Sequence, residues 1–218
     1  MPRLRSIRRP SSATTEEKAL LVLLHGLGSD EQDLMGATDG IDRRFEIASL
    51  RAPIPYEGGG FAWFSLGWEE NRIVYDSDQA KESMTLIGSD VAELSRELGI
   101  PAHRVVLGGF SQGAMMSLAV LLNDPGSLGG AVLLSGAVIP ELVPDESSPD
   151  ALVPVLIHHG TYDPVLPVQL GRNVRDLLTS RGFSPAFREF PIAHGISPES
   201  LSDAEQWLVR FIDDSSQS

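Results

Sequence analysis

The chain has 218 residues, of which 42% are hydrophobic and 22% are charged, and its formal net charge is −13 at pH 7. Such an acidic surface repels the phosphates of nucleic acids and of anionic membranes, so neither is expected as a partner. The sequence has no cysteine, which excludes disulfides, zinc–thiolate sites and a cysteine nucleophile. No apolar run reaches the roughly 20 residues that span a bilayer, and residues 1–10 lack the apolar segment of a secretory signal. We therefore expect one cytoplasmic domain over residues 1–218, without stable membrane insertion.

Six short apolar segments alternate with helical patterns along the chain. They cover residues 19–24, 45–50, 104–107, 131–134, 153–158 and 186–190. Several are continuous apolar runs, as is typical of parallel strands that helices cover on both faces. The β-α-β-α order predicts an α/β fold with a mostly parallel, doubly wound sheet.

Two helices have clear signals in the sequence. Apolar residues recur at helical spacing from Met84 to Leu98, and Gly99 followed by Pro101 is expected to end this helix. Residues 202–205, Ser-Asp-Ala-Glu, are typical of a capping box that precedes an apolar stripe. The remaining segments are expected to be an N-terminal arm or edge strand within residues 1–17, a polar surface loop over 140–150, and a frayed end over 214–218.

Residues 109–113 read Gly-Phe-Ser-Gln-Gly and lie between a predicted strand and a predicted helix. In that context G-x-S-x-G is typical of a nucleophile elbow, in which small glycines permit a sharp turn that exposes the Ser111 hydroxyl. Serine is a poor nucleophile at neutral pH, so it requires a neighbouring base, and the base requires an acid that orients it.

The base and the acid are sought at the carboxyl ends of the strands, where open α/β sheets bind their ligands. His25, His159 and His194 meet this condition, and His194 is favoured because its loop before the last helix contains glycine. Asp163 is the preferred acid because it is the only carboxylate in the turn after the strand ending at His158. A turn-capping role for Asp163 is compatible with this assignment. Poorer candidates for the acid lie in the polar loop, at Asp145, Glu146 and Asp150.

Acyl transfer also requires donors for the developing oxyanion. The backbone N–H groups of Gln112, directly after the serine, and of Leu27, in the loop His25-Gly26-Leu27-Gly28, are the expected donors. Beside them we expect an apolar cleft, with core packing as the alternative for each of its residues. Its predicted lining is Leu27, Phe61, Trp63, Phe64, Val165 and Leu166.

These segments together resemble the phospholipase/carboxylesterase family of α/β-hydrolases, which includes acyl-protein thioesterases and small bacterial carboxylesterases. The resemblance covers nearly the whole chain and implies an α/β-hydrolase fold without a large lid domain. It also implies a Ser111, Asp163 and His194 triad, an oxyanion hole from Leu27 and Gln112, and no cofactor or metal. The sequence departs from the family at Ala114, where a second glycine is usual, at 29–31, where thioesterases usually have Asp-Thr-Gly, and in the short Gly-rich segment 58–61.

The expected function is that of a serine carboxylesterase, which hydrolyses small to medium acyl esters through an acyl-enzyme. Its expected partner is a small-molecule acyl ester. A lysophospholipase or acyl-protein thioesterase is the nearest alternative, and a catalytically inactive binding module is an alternative of another class. A peptidase or a dienelactone-type hydrolase is also left open, although the latter typically uses cysteine. The sequence does not decide whether the protein is a homodimer.

Overall fold

The computed structural model describes residues 4–14, 17–69, 72–145 and 152–215. Its strands are Ser6–Arg9 (β1), Ala19–Leu24 (β2), Phe45–Leu50 (β3), Ile54–Pro55 (β4), Phe61–Ala62 (β5), Leu66–Glu69 (β6), Arg72–Tyr75 (β7), Val105–Phe110 (β8), Gly130–Leu134 (β9), Val155–Gly160 (β10) and Ala186–Phe190 (β11). Its α-helices are Ser77–Leu98 (α1), Gln112–Asn123 (α2), Val168–Ser180 (α3) and Pro198–Ser215 (α4).

The central sheet has seven strands in the order β1-β3-β2-β8-β9-β10-β11. β1 is antiparallel to β3, and the other neighbours are parallel. Successive side chains of β2 enter different apolar layers, because a strand points them to alternate faces: Leu20 and Val22 pack in the layer of α1, α2 and α3, whereas Leu21 packs in that of α4. Helices thus cover both faces of a mostly parallel sheet, and no large lid domain occurs among the described residues. The predicted fold class is confirmed.

The end of one strand differs from the prediction because a glycine continues the strand pairing of the sheet. The predicted strands 19–24, 45–50 and 186–190 coincide with β2, β3 and β11, but β10 continues to Gly160. A Cβ atom on Gly160 would lie 2.5 Å from the carbonyl oxygen of Ala193, so glycine permits close packing there instead of ending the strand. His158 and His159 therefore lie inside β10.

The helix ends show one confirmed and one wrong prediction. α1 ends at Leu98, and Gly99 has a left-handed φ of 65°. α4 begins at Pro198, ahead of the predicted capping box at 202–205. Ser197 and Ser200 cap each other instead, since the Ser200 N–H donates to Ser197 Oγ at 3.1 Å and the Ser197 N–H donates to Ser200 Oγ at 2.9 Å. Residues 202–205 therefore lie inside α4, and the capping-box pattern placed the start of the helix too late.

The segments outside the main elements are partly described. Residues 6–9 of the predicted arm form the antiparallel edge strand β1, and the Arg9 guanidinium donates to the Thr38 carbonyl at 2.6 Å. The predicted loop 140–150 begins with a short 3-10 helix, Pro140–Leu142, while Glu146 and Asp150 lie outside the described residues. Asp214 and Ser215 belong to α4, and residues 216–218 lie outside the described residues. Within the described chain, every helix is too short or too polar to cross a bilayer.

Candidate active site

Ser111 occupies a sharp turn between β8 and α2. Its φ of 54° and ψ of −116° are strained for a residue with a side chain, which costs about 1–3 kcal/mol. The turn is tight because the flanking glycines pack backbone against backbone. A Cβ on Gly109 would lie 2.4 Å from the Gly113 backbone, and one on Gly113 would lie 2.0 Å from the Leu24 carbonyl oxygen. The G-x-S-x-G pattern is therefore a steric requirement of this turn.

Asp163, His194 and Ser111 form a continuous chain of hydrogen-bonding atoms. His194 Nε2 lies 2.8 Å from Ser111 Oγ, and His194 Nδ1 lies 2.7 Å from Asp163 Oδ2. An ionised carboxylate only accepts hydrogen bonds, which assigns the proton to Nδ1 and leaves the Nε2 lone pair directed at the serine hydroxyl. The three residues come from separate loops, after β8, β10 and β11.

The Asp163 side chain is fully buried and held by its own turn. Its Oδ1 accepts the N–H groups of Val165 at 2.9 Å and Leu166 at 2.8 Å. Oδ2 is thereby left for His194. The carboxylate caps the turn and orients the imidazole at the same time, so the two interpretations of Asp163 in the sequence are both compatible with the geometry.

The other two histidines considered as bases have structural partners. His25 is buried; its Nδ1 lies 2.7 Å from the Gly26 carbonyl, and its Nε2 accepts the Ala52 N–H at 3.0 Å. Burial lowers the pKa of His25, which favours the neutral ring that these partners require. His159 lies 2.7 Å from the Leu166 carbonyl and fixes the turn that carries Asp163. Of the three, His194 is the one that contacts the serine.

The predicted oxyanion donors lie along the same cleft as Ser111. Leu27 and Gln112 both line it, together with Gly26. The next amide after Leu27, that of Gly28, donates to the Phe61 carbonyl at 2.9 Å and is already used. The Gln112 side chain is used elsewhere: its Oε1 accepts the Trp63 N–H and its Nε2 donates to the Phe64 carbonyl, each at 2.8 Å.

The cleft beside Ser111 is mainly apolar and has a volume of about 240 Å³. Val165 and Leu166 line it, as predicted. Leu66, Phe110 and Met115 also line it and were missed. Met115 follows the serine by one helical turn, and its position on α2 was the signal that could have identified it.

Three predicted lining residues lie elsewhere. Trp63 and Phe64 are fully buried in the core, because Gln112 holds their backbone and the Trp63 indole N–H donates to the His25 carbonyl at 2.9 Å. Phe61 is not part of the cleft lining; the Arg51 guanidinium lies over its ring, with Arg51 Cζ 4.3 Å from the ring centroid. Core packing, the alternative weighed for these aromatic residues, describes Trp63 and Phe64.

A buried glutamate with two arginine partners supports the loop that follows the predicted oxyanion donor. The Glu31 side chain is 1% exposed; it accepts two hydrogen bonds from Arg51, one of them at 2.8 Å, and lies 3.0 Å from Arg5 Nε. Burial raises the pKa of this carboxyl, but hydrogen bonds and the charges of Arg51 and Arg5 outweigh it, so the net shift is downward. Glu31 belongs to the segment that departs from the thioesterase pattern, and here it ties that loop to Arg51. In the described residues, no group of three or more acidic or histidine side chains clusters as metal ligands would.

Comparison with known proteins agrees with this architecture. Residues 8–212 match the family model described as Phospholipase/Carboxylesterase. Acyl-protein thioesterase 1 of Debaryomyces hansenii is 31% identical over 94% of this chain and 95% of its own length. A probable carboxylesterase of Oryza sativa subsp. japonica is 28% identical over 93% of this chain and 81% of its own. The crystal structure of esterase PE8 superposes with a TM-score of 0.84 at 28% identity, covering 96% of this chain and all of that one. The chain thus belongs to the phospholipase/carboxylesterase family of hydrolases.

Proposed function

We propose that this protein is a serine carboxylesterase that hydrolyses small to medium acyl esters through an acyl-enzyme. The proposal depends above all on one observation, the 2.7 Å and 2.8 Å contacts that link Asp163 through His194 to Ser111. A base in contact with the nucleophile and an acid in contact with the base are what serine requires for attack at neutral pH.

In the first half of the proposed reaction, Ser111 Oγ attacks the ester carbonyl carbon while His194 Nε2 takes the hydroxyl proton. The buried Asp163 carboxylate stabilises the imidazolium that forms, without itself being protonated. The carbonyl oxygen becomes an oxyanion, which the backbone N–H groups of Leu27 and Gln112 stabilise. The intermediate then expels the alcohol, which receives the proton from His194, and Ser111 is left acylated.

In the second half, water replaces the alcohol. His194 takes a proton from the water as it attacks the acyl carbon, and the same two amides stabilise the second oxyanion. Collapse of this intermediate returns the proton from His194 to Ser111 Oγ and releases the carboxylic acid. The apolar cleft holds the acyl group in both halves, with Val165 and Leu166 on one wall.

Replacement of the nucleophile tests the assignment. In Ser111→Ala, kcat on p-nitrophenyl butyrate should fall by several orders of magnitude, by analogy with the roughly 10⁶-fold loss in another triad enzyme. Labelling by a fluorophosphonate probe should disappear in the same variant. The matched control is Ser135→Ala, since Ser135 also has a positive φ, of 51°, but directly follows β9 and is not part of the cleft lining. Ser111→Ala protein that still turns over ester or takes up the probe would refute the proposal.

Acyl-protein thioesterase activity is the second candidate, favoured by the similarity to several acyl-protein thioesterases. It would appear as a preference for long acyl chains and for thioesters over oxygen esters. A catalytically inactive binding module would leave Ser111 unlabelled by the probe in the wild-type protein.

A further inference from the structure

Met115 lines the cleft and lies one helical turn after the serine. Its N–H donates to the Ser111 carbonyl at 3.1 Å, so it belongs to the first turn of α2. Its side chain is 5% exposed and contributes to the lining of the cleft. The same side chain borders a second gap on the far side, lined entirely by apolar residues: Leu118, Ala119, Leu122, Val138, Ile139, Leu142 and Val143. Met115 is thus a partition between the cleft and this gap.

The gap lies along α2, and Met115 is shared between its lining and that of the cleft. Residues 115, 118, 119 and 122 follow helical spacing and form one apolar stripe that begins next to Ser111. Beyond Met115 the space is too narrow to hold a water molecule. An acyl chain that followed the stripe from the serine would therefore meet the Met115 thioether before it reached the gap.

The far wall of the gap is held in place. Asn123 Nδ2 donates to the Leu142 carbonyl at 2.7 Å, which joins this segment to α2. The Tyr75 hydroxyl donates to the Glu141 carboxylate, which joins the same segment to β7. With the wall fixed on both sides, the unbranched Met115 side chain is the adjustable part of the partition.

We propose that Met115 sets the longest acyl chain that the cleft accepts, an inference that rests on the proposed esterase function. The cleft volume of about 240 Å³ lies below the roughly 300–1,000 Å³ of pockets for drug-sized ligands. The wild-type protein accordingly takes short acyl groups, and chains that must displace Met115 are poorer substrates. Met115 acts as a specificity determinant and takes no part in the bond-making steps.

The test is a chain-length series of p-nitrophenyl esters from acetate to decanoate. Met115→Ala removes the Cγ, Sδ and Cε atoms and joins the cleft to the gap. Each further methylene that becomes buried should raise kcat/KM about fourfold, so the ratio of octanoate to butyrate should rise at least about tenfold. Met115→Val is a milder truncation that should move the ratio in the same direction if the alanine variant is poorly folded.

Two controls separate the partition from general loosening of the protein. Met115→Leu keeps nearly the same volume and should keep the wild-type limit. Met116→Ala loses the same atoms from the adjacent, fully buried position, which is not part of the cleft lining, and should also keep it. An unchanged ratio in Met115→Ala and Met115→Val, or an equal rise in Met116→Ala, would overturn the inference while leaving the esterase assignment intact. Absence of Ser111-dependent hydrolysis in the wild-type protein would instead overturn the proposed function, and this inference with it.

Discussion

The Gln112 side chain offers a sharp physical test of how the site is built, through the substitution Gln112→Glu. Gln112 is 1% exposed, and its amide nitrogen donates to the Phe64 carbonyl at 2.8 Å while its oxygen accepts the Trp63 N–H. Glutamate has the same shape but can make both contacts only when it is protonated. An ionised carboxylate would place an oxygen against the Phe64 carbonyl in a buried site. We therefore expect the pKa of the introduced carboxyl to rise on folding.

The sign and size of the effect follow from proton linkage. A carboxyl in the unfolded chain titrates near about 4.3, so below that pH both states are protonated and Gln112→Glu should be close to wild type in stability. Above it the folded state keeps a proton that the unfolded state has released. The variant then loses about 1.4 kcal/mol of unfolding free energy per pH unit relative to wild type, until the raised pKa is reached. Between pH 5 and pH 7 the loss should grow by up to about 2.7 kcal/mol.

Urea unfolding of both proteins at pH 5, 6 and 7 measures this difference directly. The matched control is Gln206→Glu, since Gln206 is exposed on α4 and its substitution should give a difference that varies little with pH. A destabilisation of Gln112→Glu that stays constant across this range would refute the two hydrogen bonds assigned to the amide.

Three further outcomes are expected. In Asp163→Asn, kcat on p-nitrophenyl butyrate should fall about 10⁴-fold, because a neutral amide no longer fixes the His194 tautomer, and a loss under tenfold would contradict the assignment. Glu31→Gln should be clearly less stable than wild type at pH 7. The difference should shrink as the pH falls through the lowered pKa of Glu31, whose stabilisation is complete only above about pH 4.3; urea unfolding at pH 3 to 7 measures it. Burial lowers the pKa of His25, so as the pH falls the unfolded chain gains a proton before the folded protein does. The free energy of unfolding of the wild-type protein should therefore decrease below about pH 6.5, with His25 contributing up to about 1.4 kcal/mol per pH unit. The substitution His25→Gln should remove this contribution.

The fold could be predicted from the sequence because local and global signals agree in the strands. β2 is a continuous apolar run bounded by polar residues, and β3 is apolar apart from Glu46 and Ser49; both match their predicted limits. The end of β10 could not be predicted from composition, since Gly160 remains in the strand for a reason set by a distant loop, the approach of Ala193. The predicted start of α4 was wrong because residues 202–205 have a capping-box pattern although they lie inside the helix, which begins at Pro198 after the reciprocal contacts of Ser197 and Ser200.

The order and the loops of Ser111, Asp163 and His194 could also be anticipated, because the carboxyl ends of parallel strands meet at one edge of a sheet. The residues that line the cleft could not be predicted as well, since the sequence does not indicate in which direction an aromatic side chain in a loop points. Trp63 is drawn into the core by hydrogen bonds from its own backbone and indole to residues far away in sequence. Met115 lines the cleft because a helix places it one turn after Ser111, a relation that needs the helix start to be known.

The segment 61–64, which contains three predicted cleft residues, instead joins the two loops that carry the predicted oxyanion donors. On one side the Phe61 N–H donates to the Ser29 carbonyl at 2.8 Å, which ties the segment to the loop of Leu27. On the other side it is held by the Gln112 side chain. The segment thus links the two loops of the predicted donors through hydrogen bonds. Glutamine at position 112, a variable position of the elbow motif, thus has a structural reason. Its neutral amide both donates and accepts a hydrogen bond, as the contacts with Phe64 and Trp63 require.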